Sequence, residues 1–138
     1  MILVNGENVI MGRLASFVAK KAIEGEQVTI VNAEKVSITG TKDAAMQKLK
    51  VRLKIGGKGN PEEGPKFSRM PDRVLRMSVR GMLPWKSTRG KDAYRRVHVY
   101  IGIPEEFEGK KFEEIPSKGE SRKSIELGTI CKLLGAKW

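Results

Sequence analysis

The sequence predicts an α/β domain in which helices cover a small, mostly parallel sheet. The apolar run ILVN (2–5) ends at a turn pair, a helical pattern follows, and QVTIVN (27–32) is rich in β-branched residues. A strand, a helix and a second strand within about 30 residues are typical of a right-handed βαβ crossover, which makes the two strands parallel. The chain of 138 residues fits one domain with a single core.

Local signals mark the end of the first helix and predict the elements that follow the βαβ unit. That helix is expected to end at Gly25, a residue type that commonly follows a helix C-terminus. VSITG (36–40) predicts a short strand, and TKDAAMQKLKVRLK predicts a helix with Thr41 as its N-cap. The side chains expected on the buried side of this helix are those of Met46, Leu49 and Leu53.

The second half combines an irregular segment with two further elements. Four glycines and two prolines in IGGKGNPEEGPKF predict that residues of about 55–70 form an extended basic loop. A late strand is predicted by the alternation of Val97, Val99 and Ile101 with His98 and Tyr100, and an apolar stripe predicts a C-terminal helical tail at about 121–136. We therefore expect one domain over residues 1–138, with this loop and this tail.

Between the extended loop and the late strand, a helix is expected to start at Pro71. It is expected to stop before Pro84, because a proline disfavours helical angles in the preceding residue. Leu75, Val79 and Met82 fall on one side of this helix, where they would pack on the sheet. Three arginines form a row on another side, namely Arg73, Arg76 and Arg80.

The charge is concentrated around that helix. Residues 42–96 hold 16 cations and five acids, a net charge of +11, whereas the rest of the chain holds 11 of each and is neutral. Such a field attracts an extended polyanion, and nucleic acid is the commonest one. A merely solvated lysine-rich surface is the alternative interpretation.

Other functional devices find little support in the sequence. Aromatic residues make up 6% of the chain, and one cysteine and one histidine exclude a zinc finger. The remaining mode of nucleic-acid recognition is contact with phosphates and 2′-hydroxyls together with recognition of shape, which suits folded RNA. GGKGNP matches neither nucleotide-binding glycine motif, and His98 has no evident nucleophile partner, so we expect no catalytic residues, metal or cofactor. The rivals are a protein-interaction module and a nucleotide-dependent enzyme built on the βαβ unit.

The compartment follows from what the sequence lacks. We find no signal peptide, no run of about 18 apolar residues that would span a bilayer, and only Cys131 as a cysteine. These features predict a cytoplasmic protein without a membrane partner.

Three motifs carry a family resemblance: GRLAS (12–16), VNAEKVSITG (31–40) and VRGMLP (79–84), the last followed by WKSTRGKDAYRRVHVYIGIP. The chain resembles the universal ribosomal protein L13 family of the large subunit, in its archaeal form. The resemblance implies a three-layer α/β/α fold with a four-stranded mixed sheet. It also implies a non-enzymatic structural constituent of the large ribosomal subunit that binds large-subunit ribosomal RNA, supports early assembly and adjoins other ribosomal proteins. No cofactor or small-molecule substrate is expected.

The predicted RNA-binding residues come from the charge pattern and the signature segment. Gly81 either loosens the last helical turn or leaves room for another backbone, and Trp85, where the family pattern has a smaller polar or basic residue, either stacks on a base or caps the core. The predicted phosphate contacts on the helix and beyond it are Arg73, Arg76, Arg80, Lys86, Arg89, Arg95 and Arg96. Those along the extended loop are Lys54, Lys58, Lys66 and Arg69.

Overall fold

The computed structural model describes residues 1–113, 115 and 123–138. Within them, the predicted α/β class is confirmed. The strands and helices in chain order are β1 (Ile2–Asn5), α1 (Met11–Glu24), β2 (Val28–Val31), β3 (Ser37–Thr39), α2 (Lys42–Leu53), α3 (Pro71–Met82), α4 (Thr88–Arg95), β4 (Val97–Val99), β5 (Ser124–Glu126) and α5 (Leu127–Leu133). None of the helices in the described ranges is long and apolar enough to cross a bilayer.

The N-terminal βαβ unit is present as predicted. β1 and β2 pair in parallel with Ile2 opposite Val28, and β4 adds in parallel to the other edge of β2 with Val97 opposite Val28. All four residues of β2 are buried, as expected for the central strand of a parallel sheet. Gly25 ends α1 with a φ of 105°, a left-handed conformation that favours glycine.

The predicted number of strands is wrong. The described residues form a three-stranded parallel sheet, and β3 pairs with β5 in a separate antiparallel ribbon, with Ile38 opposite Ile125. After β2 the chain passes through Asn32, whose φ is 55°, and a short 3₁₀ turn at Ala33–Lys35. β3 then pairs with a strand from the C-terminal part of the chain, outside the segment that carries the resemblance. The three-layer arrangement stays a prediction.

Helix α3 starts and stops where its prolines predict. Pro71 is its first residue, and Leu83, with a ψ of 150°, ends it immediately before Pro84. Leu75 and Val79 are fully buried and pack against α1, but Met82 is 45% exposed, so its predicted place on the packed face is wrong. Because the backbone becomes extended after Met82, Leu83 is the residue that enters the core.

Helix α2 packs loosely at the edge of the domain. The hydroxyl of Thr41 accepts a hydrogen bond from the amide of Ala44 at 3.4 Å, which matches the predicted N-cap. The three apolar side chains expected to be buried are only half-buried, and Ala45 is the one residue of α2 that is buried. The half-buried residues are Met46, Leu49 and Leu53. Their incomplete packing leaves space between α2 and α3.

The loop and the tail complete the chain. No helix or strand lies between α2 and α3, the segment that contains the predicted extended loop. In the predicted tail, α5 buries Leu127, Ile130 and Cys131, whereas residues 121 and 122 lie outside the described residues.

Candidate nucleic-acid interface

The segment between α3 and α4 is organised around the carbonyl oxygen of Pro84. This oxygen accepts hydrogen bonds from the amide of Ser87 at 3.0 Å and from its hydroxyl at 2.9 Å. The same hydroxyl accepts a hydrogen bond from the amide of Gly90 at 3.2 Å and thereby caps α4. The turn fixes where α4 starts, which the sequence reasoning missed. The available signal was Ser87, an N-cap residue directly before Thr88.

Two arginines of α3 lie over aromatic rings that this turn and α4 supply. The Cζ atom of Arg76 is 4.6 Å from the ring centroid of Tyr94, and that of Arg80 is 4.1 Å from the centroid of Trp85. The two rings meet edge to face, with 5.2 Å between their centroids. We call Arg76, Arg80, Trp85 and Tyr94 the arginine–aromatic cluster. Stacking on rings holds a guanidinium in place without neutralising its charge.

Trp85 is half-buried within this cluster. Of its two predicted roles, packing against the domain is the one that its contacts with Arg80 and Tyr94 support. Base stacking by Trp85 stays a prediction.

A first cleft of about 340 Å³ lies between α2, α3, α5 and the residues just before α3. Among the described residues that line it, five carry a cationic side chain and none carries an acidic one. The cations are Arg52, Lys66, Arg69, Arg73 and Arg76. The remaining lining residues are Leu49, Leu53, Phe67, Ser68, Val74, Met77, Tyr94, Cys131 and Leu134.

A second cleft of about 610 Å³ lies beside the C-terminal half of α3. The residues that line it in the described ranges also include no acid, and three of them are shared with the first cleft. They are Pro65, Lys66, Phe67, Met77, Arg80, Gly81, Leu83 and Trp85, of which Lys66, Phe67 and Met77 are shared. The end of the extended loop therefore contributes to both clefts.

The structure brings seven of the thirteen predicted residues into the two clefts. These are Lys66, Arg69, Arg73, Arg76, Arg80, Gly81 and Trp85. Gly81 is exposed, and a Cβ atom there would meet no heavy atom within 4 Å, so its surface is open to another molecule. Arg52, which also lines the first cleft, was not among the predicted residues; its signal was its membership of the basic segment.

The other six predicted residues line neither cleft. Lys54, Lys58, Lys86 and Arg89 are exposed at the surface. Arg95 forms an ion pair with Asp92 at 3.1 Å, and Nη1 of Arg96 donates a hydrogen bond to the carbonyl oxygen of Ala22 at 3.3 Å, near the end of α1. Arg95 is thus partly compensated and Arg96 stabilises a helix terminus.

The described part of the chain shows no grouping of three or more His, Cys, Asp or Glu residues that could hold a metal ion. Cys131 is buried, and this burial, together with the negative charge of Asp72, raises the pKa of its thiol to about 11. A thiol with this pKa stays protonated at neutral pH and is therefore a poor nucleophile.

The fold and the clefts define a class of protein, a small basic α/β domain with two clefts lined by cationic side chains. The family model described as Ribosomal protein L13 matches residues 1–106. The chain belongs to the ribosomal protein L13 family, so the resemblance is confirmed. Members of this family are structural components, so the expectation of a non-enzymatic protein is also confirmed and the rival enzyme interpretation is excluded.

Archaeal relatives match along 96–100% of the chain, and each is named large ribosomal subunit protein uL13. The protein of Methanosphaera stadtmanae is 44% identical, over 99% of this chain and 98% of the relative. That of Methanocaldococcus jannaschii is 42% identical over 100% of both chains. That of Archaeoglobus fulgidus is 41% identical, over 96% of this chain and 86% of the relative.

Proposed function

We propose that this protein is a structural component of the large ribosomal subunit that binds large-subunit ribosomal RNA through the surface around α3 and supports early assembly of the subunit. It acts in the ribosome, hence in the cytoplasm, next to other ribosomal proteins. The names of its relatives support the assignment to the large subunit. The surface of α3 supports RNA as the ligand.

The observation that carries the proposal is the arginine row of α3. Arg73 and Arg76 line the first cleft and Arg80 lines the second, and none of the described residues that line either cleft is acidic. Within the described part of the chain these three arginines form no ion pair, which favours an anionic ligand, and a planar guanidinium can bind a phosphate through two hydrogen bonds. Arg76 and Arg80 are also held over aromatic rings, which reduces the entropy that they lose on binding.

The contact surface extends beyond the clefts under this proposal. Exposed cations at the end of α2 and in the loop continue it on one side, and those around the start of α4 continue it on the other. They are Lys54, Lys58, Lys86 and Arg89. The loop of residues 55–70 extends from the domain and contacts the RNA along its length. The chain forms a single domain, in the three-layer arrangement that the family resemblance implies.

The remaining rival is a module that binds acidic proteins through the same surface. Salt dependence separates the two, because binding to RNA releases condensed counterions. If about eight phosphates are neutralised, the logarithm of the affinity falls with the logarithm of the salt concentration with a slope of roughly −6 to −7. A protein partner gives a shallower slope.

The test of the proposal is sedimentation of a native cell extract through a sucrose gradient, repeated after a high-salt wash. We expect the protein to migrate with the large subunit in both gradients. A protein that stays at the top of both gradients would refute the ribosomal assignment.

A further inference from the structure

The first cleft has the size of a site for one small molecule. Its volume of about 340 Å³ is near the lower end of the range of roughly 300–1,000 Å³ that is typical of pockets for small ligands. It is open to solvent on the same side of the domain as part of the arginine row, since Arg73 lines it and is exposed. A cleft of this size holds one nucleotide and not a stretch of duplex.

One part of the lining is apolar, which a site for phosphate alone does not need. Apolar side chains come from α2, α3, α5 and the loop end, and Leu49, Leu53 and Leu134 among them are only half-buried. The aromatic rings of Phe67 and Tyr94 also line the cleft. Flat apolar and aromatic surfaces are what an unpaired base stacks on when it leaves its helix.

The other part of the lining is cationic, and one of its donors is buried without an acceptor. Arg76 is held over the ring of Tyr94, and its buried Nε has no hydrogen-bond partner in the described part of the chain, nor has the buried Oδ1 of Asp72, one helical turn earlier on α3. Arg69 lies against the end of α5, where its Nη1 would be 3.3 Å from a Cβ atom on Gly135. With Arg52, Lys66 and Arg73 these groups concentrate positive charge around an apolar recess. A ligand with an anionic end and a flat heterocyclic end satisfies both parts.

We propose that the first cleft binds one unpaired nucleotide of the RNA, with the base against the apolar lining and the phosphate on the arginines. The inference rests on the proposed function, because it names what part of the RNA enters this cleft. A paired base does not reach the cleft, since its ring is stacked inside the helix, so the nucleotide comes from a loop, a bulge or a single-stranded junction. An acidic polypeptide is the other ligand that this charge would attract.

The test fills the cleft without changing its charge. Leu53→Trp places a large ring inside the cleft, which Leu53 lines. The control is Val51→Trp, two residues away on α2, because Val51 is 53% exposed and lies outside the cleft. Both full-length variants are compared with the wild type by circular dichroism and then by binding to deproteinised archaeal large-subunit ribosomal RNA over a range of salt concentrations. Loss of one base–aromatic contact is worth about 1–3 kcal/mol, so we expect Leu53→Trp to bind roughly 5- to 160-fold more weakly. Val51→Trp should bind as the wild type does.

The salt series shows what kind of contact is lost. Because Leu53→Trp removes no cation, the slope of its salt dependence should equal that of the wild type. If Leu53→Trp binds like the wild type, or if Val51→Trp loses as much affinity, no base enters the cleft and the inference is overturned.

A measurement on the unmodified protein covers the case in which Leu53→Trp does not fold. The wild-type complex with the RNA is irradiated with ultraviolet light, digested and analysed by mass spectrometry. We expect a peptide that contains Phe67 or Tyr94 to carry a nucleotide from an unpaired position. Cross-links found only on residues outside the cleft would overturn the inference.

The outcomes also separate this inference from the proposed function. If the wild-type protein binds the RNA with a steep salt slope, but Leu53→Trp has no effect and no cross-link forms, the inference is wrong and the proposed function still holds. If the wild-type protein does not bind the RNA, both the proposed function and the inference are wrong. If Lys66 in native subunits cross-links to a neighbouring acidic protein in place of RNA, the occupant is a polypeptide and the inference is wrong.

Discussion

The carbonyl oxygen of Pro84 occupies the space next to Gly90 in which any other residue would place its Cβ atom. Gly90 is buried in the first turn of α4, and its backbone is not in the left-handed region. The close approach, and not backbone conformation, therefore requires glycine at this position. Pro84 and Gly90 together hold α4 against the end of α3 and so place Tyr94 beneath Arg76.

Gly90→Ala is expected to destabilise the protein. The added methyl group overlaps the Pro84 carbonyl group, and overpacking of this kind costs about 1–3 kcal/mol, more than the gain of up to about 1 kcal/mol from better helix propensity. Urea unfolding of both proteins measures the difference. The matched control is Gly81→Ala in α3, where a Cβ atom meets nothing within 4 Å and stability should rise by about 0.5 kcal/mol. Equal stability changes in the two variants would contradict the role given to Gly90.

Gly81→Ala is also expected to weaken binding to the ribosomal RNA although it stabilises the free protein. Gly81 lines the second cleft, and its open surface admits a close approach of another backbone. Overpacking at a close contact costs about 1–3 kcal/mol, so the methyl group should lower the affinity by roughly 5- to 160-fold. Gly12→Ala in α1 is the control, because that position is equally open but lies outside both clefts. Unchanged affinity in a filter-binding assay would show that the RNA does not approach Gly81.

The elements that the sequence predicts well are those with strong local signals. β-Branched residues and Gly25 identify the βαβ unit, and Pro71 and Pro84 set both ends of α3. The sequence does not predict α4, because this helix has few apolar residues. It is stabilised by the cap at Ser87 and by the close approach of Gly90 to Pro84. The pairing of β3 with β5 joins distant parts of the chain, which local periodicity does not detect.

The candidate site was also predicted only in part, where a local signal exists. Charge counting along the chain identifies the basic segment, but it does not tell which cations share a cleft. Arg52 from α2 and Lys66 from the loop meet Arg73 only through tertiary packing. The count also includes Arg96, whose guanidinium binds a carbonyl group of α1, because a charge in a sequence does not show where its side chain points.

Arg73→Ala is expected to weaken RNA binding with little effect on folding. Arg73 is exposed and, within the described residues, forms no ion pair or ring contact, so the free energy of unfolding should change by less than about 0.5 kcal/mol. Loss of one phosphate contact should make the salt slope shallower by about 1. Lys20→Ala, an exposed cation of α1 outside the basic segment, provides the same charge change as a control. A slope that changes equally in both variants would indicate an effect of net charge only.

Arg96→Gln is expected to lower stability more than RNA affinity. The hydrogen bond from Arg96 to Ala22 joins the end of α4 to the end of α1, and a hydrogen bond with a charged partner contributes about 1.5–3 kcal/mol. Arg89→Gln is the counterpart, because Arg89 is exposed and its loss should reduce affinity while leaving the melting temperature unchanged. The opposite pair of results would mean that Arg96 contacts phosphate, as the charge pattern predicts, and that its bond to α1 is dispensable.

The buried thiol of Cys131 is expected to make stability depend on pH in the alkaline range. Burial and the charge of Asp72 raise the pKa of Cys131 from its ordinary value of 9.0 to about 11 in the folded protein. Below pH 9 the thiol is protonated in both the folded and the unfolded chain and contributes no pH dependence. As the pH rises from 9 to about 11, the unfolded chain loses this proton before the folded protein does, so the free energy of unfolding falls by about 1 kcal/mol per pH unit.

The control for this prediction is Cys131→Ala, which removes the titrating group. Its free energy of unfolding should start lower at pH 8, because the change leaves a small cavity, but it should fall less steeply between pH 9 and 11. Lysines and tyrosines titrate in the same range in both proteins, so the difference between the two urea-unfolding series isolates the thiol. Parallel curves, or rapid alkylation of the folded wild type at pH 8, would contradict a buried and protonated Cys131, because a thiol with a pKa of about 11 is only about 0.1% ionised there.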